Sequence, residues 1–468
     1  MRNLLAIFIC VMLSAASAVA MNFKVKADGR VVEATAFCDI SYVCLEGESS
    51  VNIEVTCDET VTSCELSPLD MNIPCRTKGR RVSFKLAEYG WYVLRVNGLH
   101  RLFVFHEAPE KVPDGLNAKD YPSLQAAFDA ASGSGRTMVV SAGEYVCGTL
   151  RIGSNSDIYI AGGAVLKATD SRADFPADED RPEADHVNHP ESYSDNGERM
   201  TFSRMLLIEG ENIKLRGRGV IDGNGGVLRS QGKPANLIRV RNSRNVTIEG
   251  LVLRNPAAWN THILGCSDVT VRGVKIVNDP LVHNTDGIDP DSSDNVTVEN
   301  CFAYCSDDNI AVKSSNNSNI LNDVHDITVR NCVFLTRKSS LKVGTETKAE
   351  QMYDILFKSN CIVECDRAFA LYCNDGADFH DIVFEGNVVE NNWPDNQRKA
   401  IHFKISRRCG AGRIRNVTIR NCRLLRPFPG KSEIRGLDGE HMVEDVQIVD
   451  SEGFGTDFNV VNAKNVKL

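Results

Sequence analysis

The chain has 468 residues, of which 42% are hydrophobic and 25% are charged, and its formal net charge is −9. This length is enough for two or three domains with sizeable cores, and the composition is that of an ordinary globular protein. The negative charge argues against nucleic acid or an anionic membrane as a general partner, although an acidic substrate could still bind in a locally basic groove.

The N-terminus has the pattern of a secretory signal. Arg2 precedes an apolar run that ends in the small residues Ala18, Val19 and Ala20. This pattern predicts a signal peptide over residues 1–20, cleaved after Ala20, because the run is too short to span a bilayer. No later segment has the length and apolarity of a membrane span, so we expect the mature chain to be secreted or periplasmic.

Residues 21–108 contain short stretches in which apolar and polar side chains alternate. These stretches are VNIEVTC, RVSFKLA, WYVLRV and RLFVFHE, and Gly, Asn and Asp turns separate them. A period of two residues indicates half-buried strands, so this region is predicted to be a small β-sandwich-like N-terminal domain. A linker with three prolines follows, and then SLQAAFDAAS, which has the spacing of a helix.

The remainder of the chain, residues 109–468, contains an internal repeat. Each unit starts with Asn or Asp and continues with alternating apolar residues, and the starts lie at 212, 245, 268, 295, 326, 354, 381, 416 and 445. A period in this range marks a stacked architecture, and no unit contains a helix-length amphipathic run. We therefore predict an all-β fold, a parallel β-helix with one coil per repeat, whose open end is covered by the SLQAAFDAAS helix.

An Asn-Cys pair recurs along these repeats. It occurs at Cys301, Cys332, Cys361 and Cys422. The regular recurrence predicts that these small apolar side chains stack at one position of successive coils as core residues.

Three aspartates are predicted to meet on one face of the coils. Asp286 precedes the pair Asp307-Asp308 by 21 residues, slightly less than one repeat. Neighbouring coils lie ~4.7–4.9 Å apart, so the three carboxylates should converge, and their repulsion should raise the pKa of at least one. A protonated acid beside ionised carboxylates is the arrangement that glycoside hydrolysis requires.

Three motifs in this part of the chain resemble those of the polygalacturonase family of glycoside hydrolases. Residues 284–289 match the family's NTD-G/A-F/I-D motif, residues 307–312 match its paired-aspartate motif, and residues 217–225 match its GxGVIDGxG element. The resemblance covers roughly residues 115–440. It implies a right-handed parallel β-helix that hydrolyses α-linked galacturonic (pectic) chains with inversion and needs no cofactor or metal.

The resemblance also implies roles for the three aspartates. Asp307 would be the general acid, and Asp286 and Asp308 would activate the attacking water. An inverting mechanism calls for carboxyl groups ~6.5–9.5 Å apart.

Two substrate-binding motifs of the family are missing. Lys338, Ser339 and Ser340 stand where the family has Gly-His-Gly, and Ala370 and Tyr372 stand where it has the Arg and Lys that hold the galacturonate carboxylate. The sugar that the site accepts is therefore left open by the motifs.

Other side chains near the aspartates are candidates to replace the missing clamp. Strand alternation points Lys313, Lys342, His402 and Lys404 away from the core, which would form a basic strip suited to a carboxylate or sulfate. Asp289 also fits the role of a turn cap. The complete set of candidate substrate-binding residues is Asn284, Asp289, Lys313, Lys342, Glu346, Arg367, Tyr372, His402 and Lys404.

Three alternative functions remain open on the sequence. The first is hydrolysis of a neutral α-galactoside or similar α-glycoside, which Glu346 would suit. The others are a β-helix polysaccharide lyase that holds calcium and a non-catalytic binding module. A polar insertion at residues 169–200 has no counterpart in the repeat, and such an insertion could wall off the groove and favour cleavage from chain ends.

Overall fold

The computed structural model describes residues 21–179, 202–232, 235–391 and 398–468. The predicted signal peptide and most of the polar insertion lie outside these residues. The chain divides into two compact units, one formed by residues up to Ser67 together with Ile73–Ala108 and the other by Pro68–Asn72 and Pro109–Leu468. No helix in the described ranges is long and apolar enough to cross a membrane.

The first unit consists of two five-stranded sheets that share one core. The strands are β1 Lys24–Ala27, β2 Arg30–Val32, β3 Thr35–Phe37, β4 Ile40–Glu46, β5 Val51–Thr56, β6 Cys64–Ser67, β7 Arg76–Lys78, β8 Arg81–Leu86, β9 Gly90–Val96 and β10 His100–Glu107. The sheet orders are β2-β1-β5-β8-β7 and β3-β4-β10-β9-β6, and side chains from both sheets, such as Val55 and Leu94, are buried together.

The second unit is built almost entirely from parallel strands. Its described helices and strands are β11 Leu116–Asn117, α1 Leu124–Ala131, β12 Thr137–Val140, β13 Gly143–Cys147, β14 Leu150–Ile152, β15 Asp157–Ile160, β16 Ala164–Ala168, β17 Ala177–Glu179, β18 Phe202–Gly217, β19 Val220–Asp222, α2 Gly225–Ser230, β20 Ala235–Glu249, β21 Val252–Arg254, β22 Thr261–Leu264, β23 Ser267–Arg272, β24 Lys275–Val277, β25 Ile288–Asp291, β26 Asp294–Glu299, β27 Phe302–Cys305, β28 Ile310–Ser314, β29 His325–Arg330, β30 Val333–Thr336, β31 Ser339–Thr347, β32 Gln351–Lys358, β33 Cys361–Glu364, β34 Arg367–Asp375, β35 Asp378–Glu385, β36 Val388–Val389, β37 Lys399–Gly410, β38 Arg413–Arg420, β39 Arg423–Leu424, β40 Ser432–Arg435, β41 Val443–Val449, β42 Phe458–Val461 and β43 Ala463–Lys464.

Three strands make one coil, and each strand pairs in parallel with its equivalent in the next coil. The first face of the coils carries β22, β25, β28, β31, β34, β37 and β40, while β23, β26, β29, β32, β35, β38 and β41 form the second face. The third face is a separate ten-stranded sheet that includes β24, β27 and β30. The molecule is thus a right-handed parallel β-helix, and the predicted fold class is confirmed.

The Asn or Asp that opens each repeat has a structural reason. All nine of these residues, from Asn212 (φ 58°) to Asp445 (φ 54°), adopt the left-handed conformation. Asn and Asp tolerate this conformation better than other non-glycine residues, so they turn the chain from one face to the next. Some also form ladders between coils, as Asn245 Nδ2 donates to Asn212 Oδ1 at 2.7 Å.

Helix α1 covers the N-terminal end of the coil stack, as predicted. Ser123 caps the helix by accepting a hydrogen bond from the Ala126 backbone N at 3.1 Å. Ala127, Phe128 and Ala131 are buried in the core of the β-helix. The helix thereby removes from water the apolar surface that the first coil would otherwise expose.

The predicted cysteine stack is correct for three of the four positions. Cys301, Cys332 and Cys422 occupy equivalent positions, but Asn360 replaces Cys361 between them, because Val333 pairs with Cys361 rather than with the residue after it. The Asn360 side chain accepts a hydrogen bond from the Cys332 backbone N at 3.1 Å. The strand pairing in this coil is therefore shifted by one residue relative to the pairing that the Asn-Cys pattern indicated.

Candidate active site

A glycine and a network of hydrogen bonds hold Asp286 directly above the following coil. The backbone N of Gly287 donates to the Asp308 carbonyl oxygen at 2.9 Å, and the backbone N of Asn260 donates to the Asp286 carbonyl oxygen at 2.9 Å. A Cβ at Gly287 would lie 2.4 Å from the Asn309 carbonyl oxygen, so only glycine allows the two coils to approach this closely.

The turn that carries Asp307 and Asp308 connects β27 to β28. Asn309 fixes this turn, because its Nδ2 donates to the carbonyl oxygens of Ala303 (3.0 Å) and Leu335 (2.8 Å). Asp308 Oδ1 accepts a hydrogen bond from the Ser339 backbone N at 2.8 Å. The Asp308 carboxylate is therefore positioned by the next coil, and the Asp307 carboxylate accepts a hydrogen bond from the Asp308 backbone N at 2.9 Å within the turn.

The three predicted aspartates meet on the first face of the β-helix. One carboxylate oxygen from each of Asp286, Asp307 and Asp308 lies within 4.8 Å of the others. Asp286 and Asp308 are only 4% and 3% exposed, whereas Asp307 is half-buried. Of the three, Asp307 therefore has the greatest access to a molecule in the groove.

Two buried lysines distinguish the three carboxylates. Lys313 Nζ lies 2.8 Å from Asp286 Oδ2, and Lys342 Nζ lies 2.5 Å from Asp308 Oδ2. No ion pair to Asp307 is found among the described residues. Asp286 and Asp308 thus have ammonium partners that favour their ionised forms. Asp307 instead lies beside the negative charges of these two carboxylates, which disfavour its ionised form.

The pKa values follow this arrangement. Burial, and then the charges of Asp286 and Asp308, raise the pKa of Asp307 to about 7. Burial acts to raise the pKa of Asp308, but Lys342 outweighs it and the pKa is lowered. Burial raises the pKa of Asp286 while Lys313 opposes the shift. Asp307 therefore titrates near neutral pH, whereas the ionised form of Asp308 is favoured.

Asp289 lies behind these groups rather than in the groove. It is fully buried, neither of its carboxylate oxygens accepts a hydrogen bond from a described residue, and Lys313 Nζ is 3.4 Å from its Oδ2. Burial raises its pKa well above the ordinary value. Asn284, also predicted to bind substrate, is exposed in a left-handed turn two residues before Asp286.

A second group of predicted residues surrounds the ring of Tyr372 on β34. The distances to its centroid are 4.9 Å from Lys404 Nζ, 5.4 Å from Lys342 Nζ and 5.9 Å from Arg367 Cζ. Tyr372 and His402 share a hydrogen bond of 2.7 Å. Lys342 belongs to both groups, so the structure joins the basic residues to the three aspartates.

The Tyr372 cluster has an excess of positive charge. Arg367 pairs with Asp366 at 2.8 Å, but burial, and then the charge of Arg367, lower the pKa of Lys404. Burial and then Lys399 lower the pKa of His402 to about 4, so it is neutral at pH 7. An anion that binds beside such cations would compensate their positive charge.

Glu346 lies at the end of β31 and contributes negative charge to the same region. Its carboxylate is 3.9 Å from Arg408 NH1, and its charge raises the pKa values of Lys313 and Lys342. The sequence analysis did not predict Arg408 as a residue of the site. Arg408 forms an ion pair of 2.5 Å with Asp375, a buried residue of β34.

Trp259 is the other residue that the sequence analysis missed. Its ring centroid lies 3.7 Å from Lys313 Nζ. The residue precedes Asp286 by 27 positions, about one repeat, and this spacing was the signal that could have identified it.

The three aspartates are also the one group among the described residues whose carboxylate oxygens are close enough to share a cation. Lys313 and Lys342 already balance two of the three charges. We therefore assign no metal to the site.

Comparison with known proteins confirms the resemblance inferred from the motifs. Residues 192–367 match the model of glycosyl hydrolases family 28. The chain is 29% identical over 217 residues to a probable polygalacturonase of Vitis vinifera (43% of this chain, 42% of the relative) and 30% identical over 216 residues to a polygalacturonase of Fusarium fujikuroi (40% and 54%). It thus spans about half the length of the curated relatives it matches.

A solved structure extends the similarity at the level of the fold. The hyperthermoactive exopolygalacturonase from Thermotoga maritima is 18% identical and has a TM-score of 0.61, covering 77% of this chain and 93% of that chain. Identity this low shows a common fold, and function has to be argued from the site itself.

Proposed function

We propose, from the family 28 match over residues 192–367 and the geometry of the three aspartates, that the chain is an inverting O-glycosyl hydrolase. The proposed substrate is an α-linked galacturonic (pectic) oligo- or polysaccharide, cleaved from its end. The observation that carries the proposal is a difference between the three carboxyl groups. Asp307 has a pKa of about 7, while Asp286 and Asp308 are each paired with a lysine.

This difference between the carboxyl groups assigns a role to each of them. Asp307 gives its proton to the glycosidic oxygen as the bond to the anomeric carbon breaks. Asp286 and Asp308 accept a proton from a water that attacks the anomeric carbon from the opposite side. The Asp286 and Asp308 pair then releases the proton that it accepted, and Asp307 takes one up from solvent, so the site returns to its starting state for a further turnover.

The spacing of the carboxylates needs a separate argument. The nearest oxygens lie within 4.8 Å of one another, which is closer to the ~5–5.5 Å of retaining glycosidases than to the ~6.5–9.5 Å of inverting ones. Lysine ammonium groups at 2.8 and 2.5 Å hold Asp286 and Asp308 in place, and this contact lowers both the basicity and the nucleophilicity of a carboxylate. The proposal of inversion therefore rests on the family resemblance.

The Tyr372 cluster supports a uronic acid as the substrate. The family's Arg and Lys positions are Ala370 and Tyr372 here, but Lys342, Arg367 and Lys404 bring three cations around the Tyr372 ring. A carboxylate on the sugar would compensate their charge. We propose that these cations replace the family clamp.

A neutral α-galactoside is the second candidate substrate. The observation that favours it is the loss of the clamp itself, since Ala370 offers no hydrogen bond to a sugar carboxylate. Glu346, half-buried near Lys313 and Lys342, could accept a hydrogen bond from a sugar hydroxyl instead.

Action from the chain end and secretion remain proposals. The insertion at residues 169–200 that would close the groove and the predicted signal peptide at residues 1–20 both lie largely outside the described part of the chain. A polymeric substrate outside the cytoplasm fits both predictions.

The proposal is tested by incubating the purified protein with α-linked galacturonic oligosaccharides and with neutral α-galactosides, and separating the products by chromatography. We expect shortened galacturonides with new reducing ends, and no turnover with Asp307→Asn. Asp450→Asn is the matched control, because Asp450 is exposed in a left-handed conformation that Asn tolerates. Near-normal activity of Asp307→Asn, or cleavage of neutral substrates alone, would contradict the proposal, and unsaturated products would indicate a lyase.

A further inference from the structure

Trp259 is an aromatic residue of the groove that has no role in the proposed mechanism. It lies just before β22, where the backbone N of the next residue, Asn260, donates to the Asp286 carbonyl oxygen at 2.9 Å. The indole is half-buried, and Lys313 Nζ lies 3.7 Å from its ring centroid. The ring is thus in direct contact with the ammonium group that pairs with Asp286.

The Trp259 ring also contacts a buried histidine. The rings of Trp259 and His262 meet at right angles, with a centroid distance of 4.9 Å and an interplanar angle of 90°. His262 is itself fully buried between Arg239 (2.9 Å) and Asp291 (2.9 Å). Burial and then Arg239 lower the pKa of His262 to about 3, so this residue orients the indole without adding a charge.

Lys313 needs such an orienting group. Its ammonium group is almost fully buried, and it lies 2.8 Å from Asp286 Oδ2 and 3.4 Å from Asp289 Oδ2. A lysine has a flexible four-carbon stem, so two carboxylates on one side do not by themselves determine which of them it approaches more closely. An aromatic face beneath a desolvated ammonium group limits this freedom.

We propose that Trp259 is a positioning residue, whose indole face holds the Lys313 ammonium group against Asp286 so that this carboxylate stays ionised and accepts a proton from water. This role rests on the proposed function, because it serves the water-activating step. It predicts that loss of the ring acts on the pH dependence of the reaction rather than on the affinity for the sugar.

Other titratable groups also face Lys313 and Asp286, and one of them, His262, contacts the Trp259 ring. Lys342 favours ionisation of Asp286, and the neighbouring carboxylates oppose it. The titratable groups in question are His262 on β22, Asp289 on β25, Asp307 and Asp308 in the turn before β28, and Lys342 and Glu346 on β31. A Lys313→Met background therefore separates a shift that acts through Lys313 from one that acts through these other groups.

The test compares Trp259→Leu with Trp259→Phe, which keeps an aromatic face. In the pH profile of kcat/KM on a galacturonic oligosaccharide, we expect the acidic limb of Trp259→Leu to move up by about one pH unit. This corresponds to an approximately tenfold loss of kcat/KM below the wild-type limb, with convergence at higher pH. Trp259→Phe should restore most of the wild-type profile, and Trp259→Leu should add no further shift in a Lys313→Met background.

A loss that is equal at all pH values, or a raised KM with an unmoved acidic limb, would overturn the positioning role. NMR titration of the Asp286 carboxyl group, assigned with Asp286→Asn, provides a readout that needs no turnover. Its pKa should rise by about one unit in Trp259→Leu, and an unchanged value would likewise overturn the proposal. If the wild-type protein cleaves no saccharide, but the Asp286 pKa still rises in Trp259→Leu, the proposed hydrolase function is contradicted and the positioning role of Trp259 is retained.

Discussion

The side chain of Asp307 differs from those of Asp286 and Asp308 because no ion pair to it is found in the part of the chain that the structure describes. All three are carboxylates on one face of two adjacent coils, and their ion-pair partners and their exposure distinguish them. Raising one pKa by burial and by neighbouring charges costs stability whenever that group ionises in the folded protein. The proposed catalytic role therefore has a consequence for folding that can be measured without any substrate.

Asp307→Asn should stabilise the protein, and more so at pH 8 than at pH 5. The pKa of Asp307 is raised to about 7, so between its ordinary value and pH 7 the folded state binds more protons than the unfolded state, and stability falls as the pH rises. Asparagine does not ionise and avoids this cost. Thermal unfolding at both pH values, with Asp450→Asn beside it, provides the measurement, and an equal change in Tm at the two pH values would contradict the raised pKa.

Lys342→Met should destabilise the fold by about 3–5 kcal/mol, because it leaves the Asp308 carboxylate buried without its ammonium partner. The double variant Lys342→Met/Asp308→Asn should recover most of this stability and remain inactive, since asparagine cannot accept the proton from water. Chemical denaturation and activity assays report the two effects separately.

Lys431→Met is the control for this pair. Lys431 is 66% exposed and its ion pair with Asp457 is on the surface, so its loss should change the stability by less than about 1 kcal/mol. A similar destabilisation in both single variants, or an active double variant, would count against the assignment of Lys342.

At the scale of the coil, the repeat explains why the aspartates converge. The Asn or Asp that opens each repeat adopts a left-handed turn, and this regular turn keeps Ile288, Ile310 and Leu341 in one inward column of the first face. The outward positions of Lys313 and Lys342 follow from the same alternation, and the sequence analysis predicted both. Close approach of the coils at Gly287 then brings the carboxylates together.

Gly287→Ala should lower both stability and kcat. The added Cβ would meet the Asn309 carbonyl oxygen at 2.4 Å and Cys305 Sγ at 3.2 Å, so the coils have to separate and Asp286 moves away from Asp308. Overpacking of this kind typically costs about 1–3 kcal/mol. Gly439→Ala, where a Cβ would meet nothing within 4 Å, is the control. Unchanged kcat and Tm in Gly287→Ala would show that the close contact does not position the site.

Other features of the coils could not be predicted from the sequence. The Asn-Cys pattern placed Cys361 in the cysteine stack, but the register moved by one residue and Asn360 took that position. Which lysine pairs with which aspartate depends on side-chain conformations, and these are not visible as a period in the sequence. The spacing of one repeat before Asp286 could have identified Trp259, but its contact with Lys313 depends on side-chain conformation in the same way.

At the scale of the whole molecule, an acidic protein carries a cluster of cations beside its three aspartates. The net charge is −9, yet Lys342, Arg367 and Lys404 lie around one tyrosine ring beside the three aspartates. The net charge argued against nucleic acid or an anionic membrane as a general partner, but it did not determine the local charge of the site. The fold and the convergence of the aspartates followed from the repeat and its motifs, whereas the substrate depends on local contacts that only the structure shows.

The most direct test of the central claim is the configuration of the first product, followed by 1H NMR during cleavage of an α-linked galacturonic oligosaccharide. A protonated Asp307 with two lysine-paired carboxylates predicts that the new reducing end appears first as the β anomer, because water attacks from the side opposite to the departing oxygen. First appearance of the α anomer would mean that Asp286 or Asp308 is a nucleophile, and this would contradict the division of roles among the three aspartates.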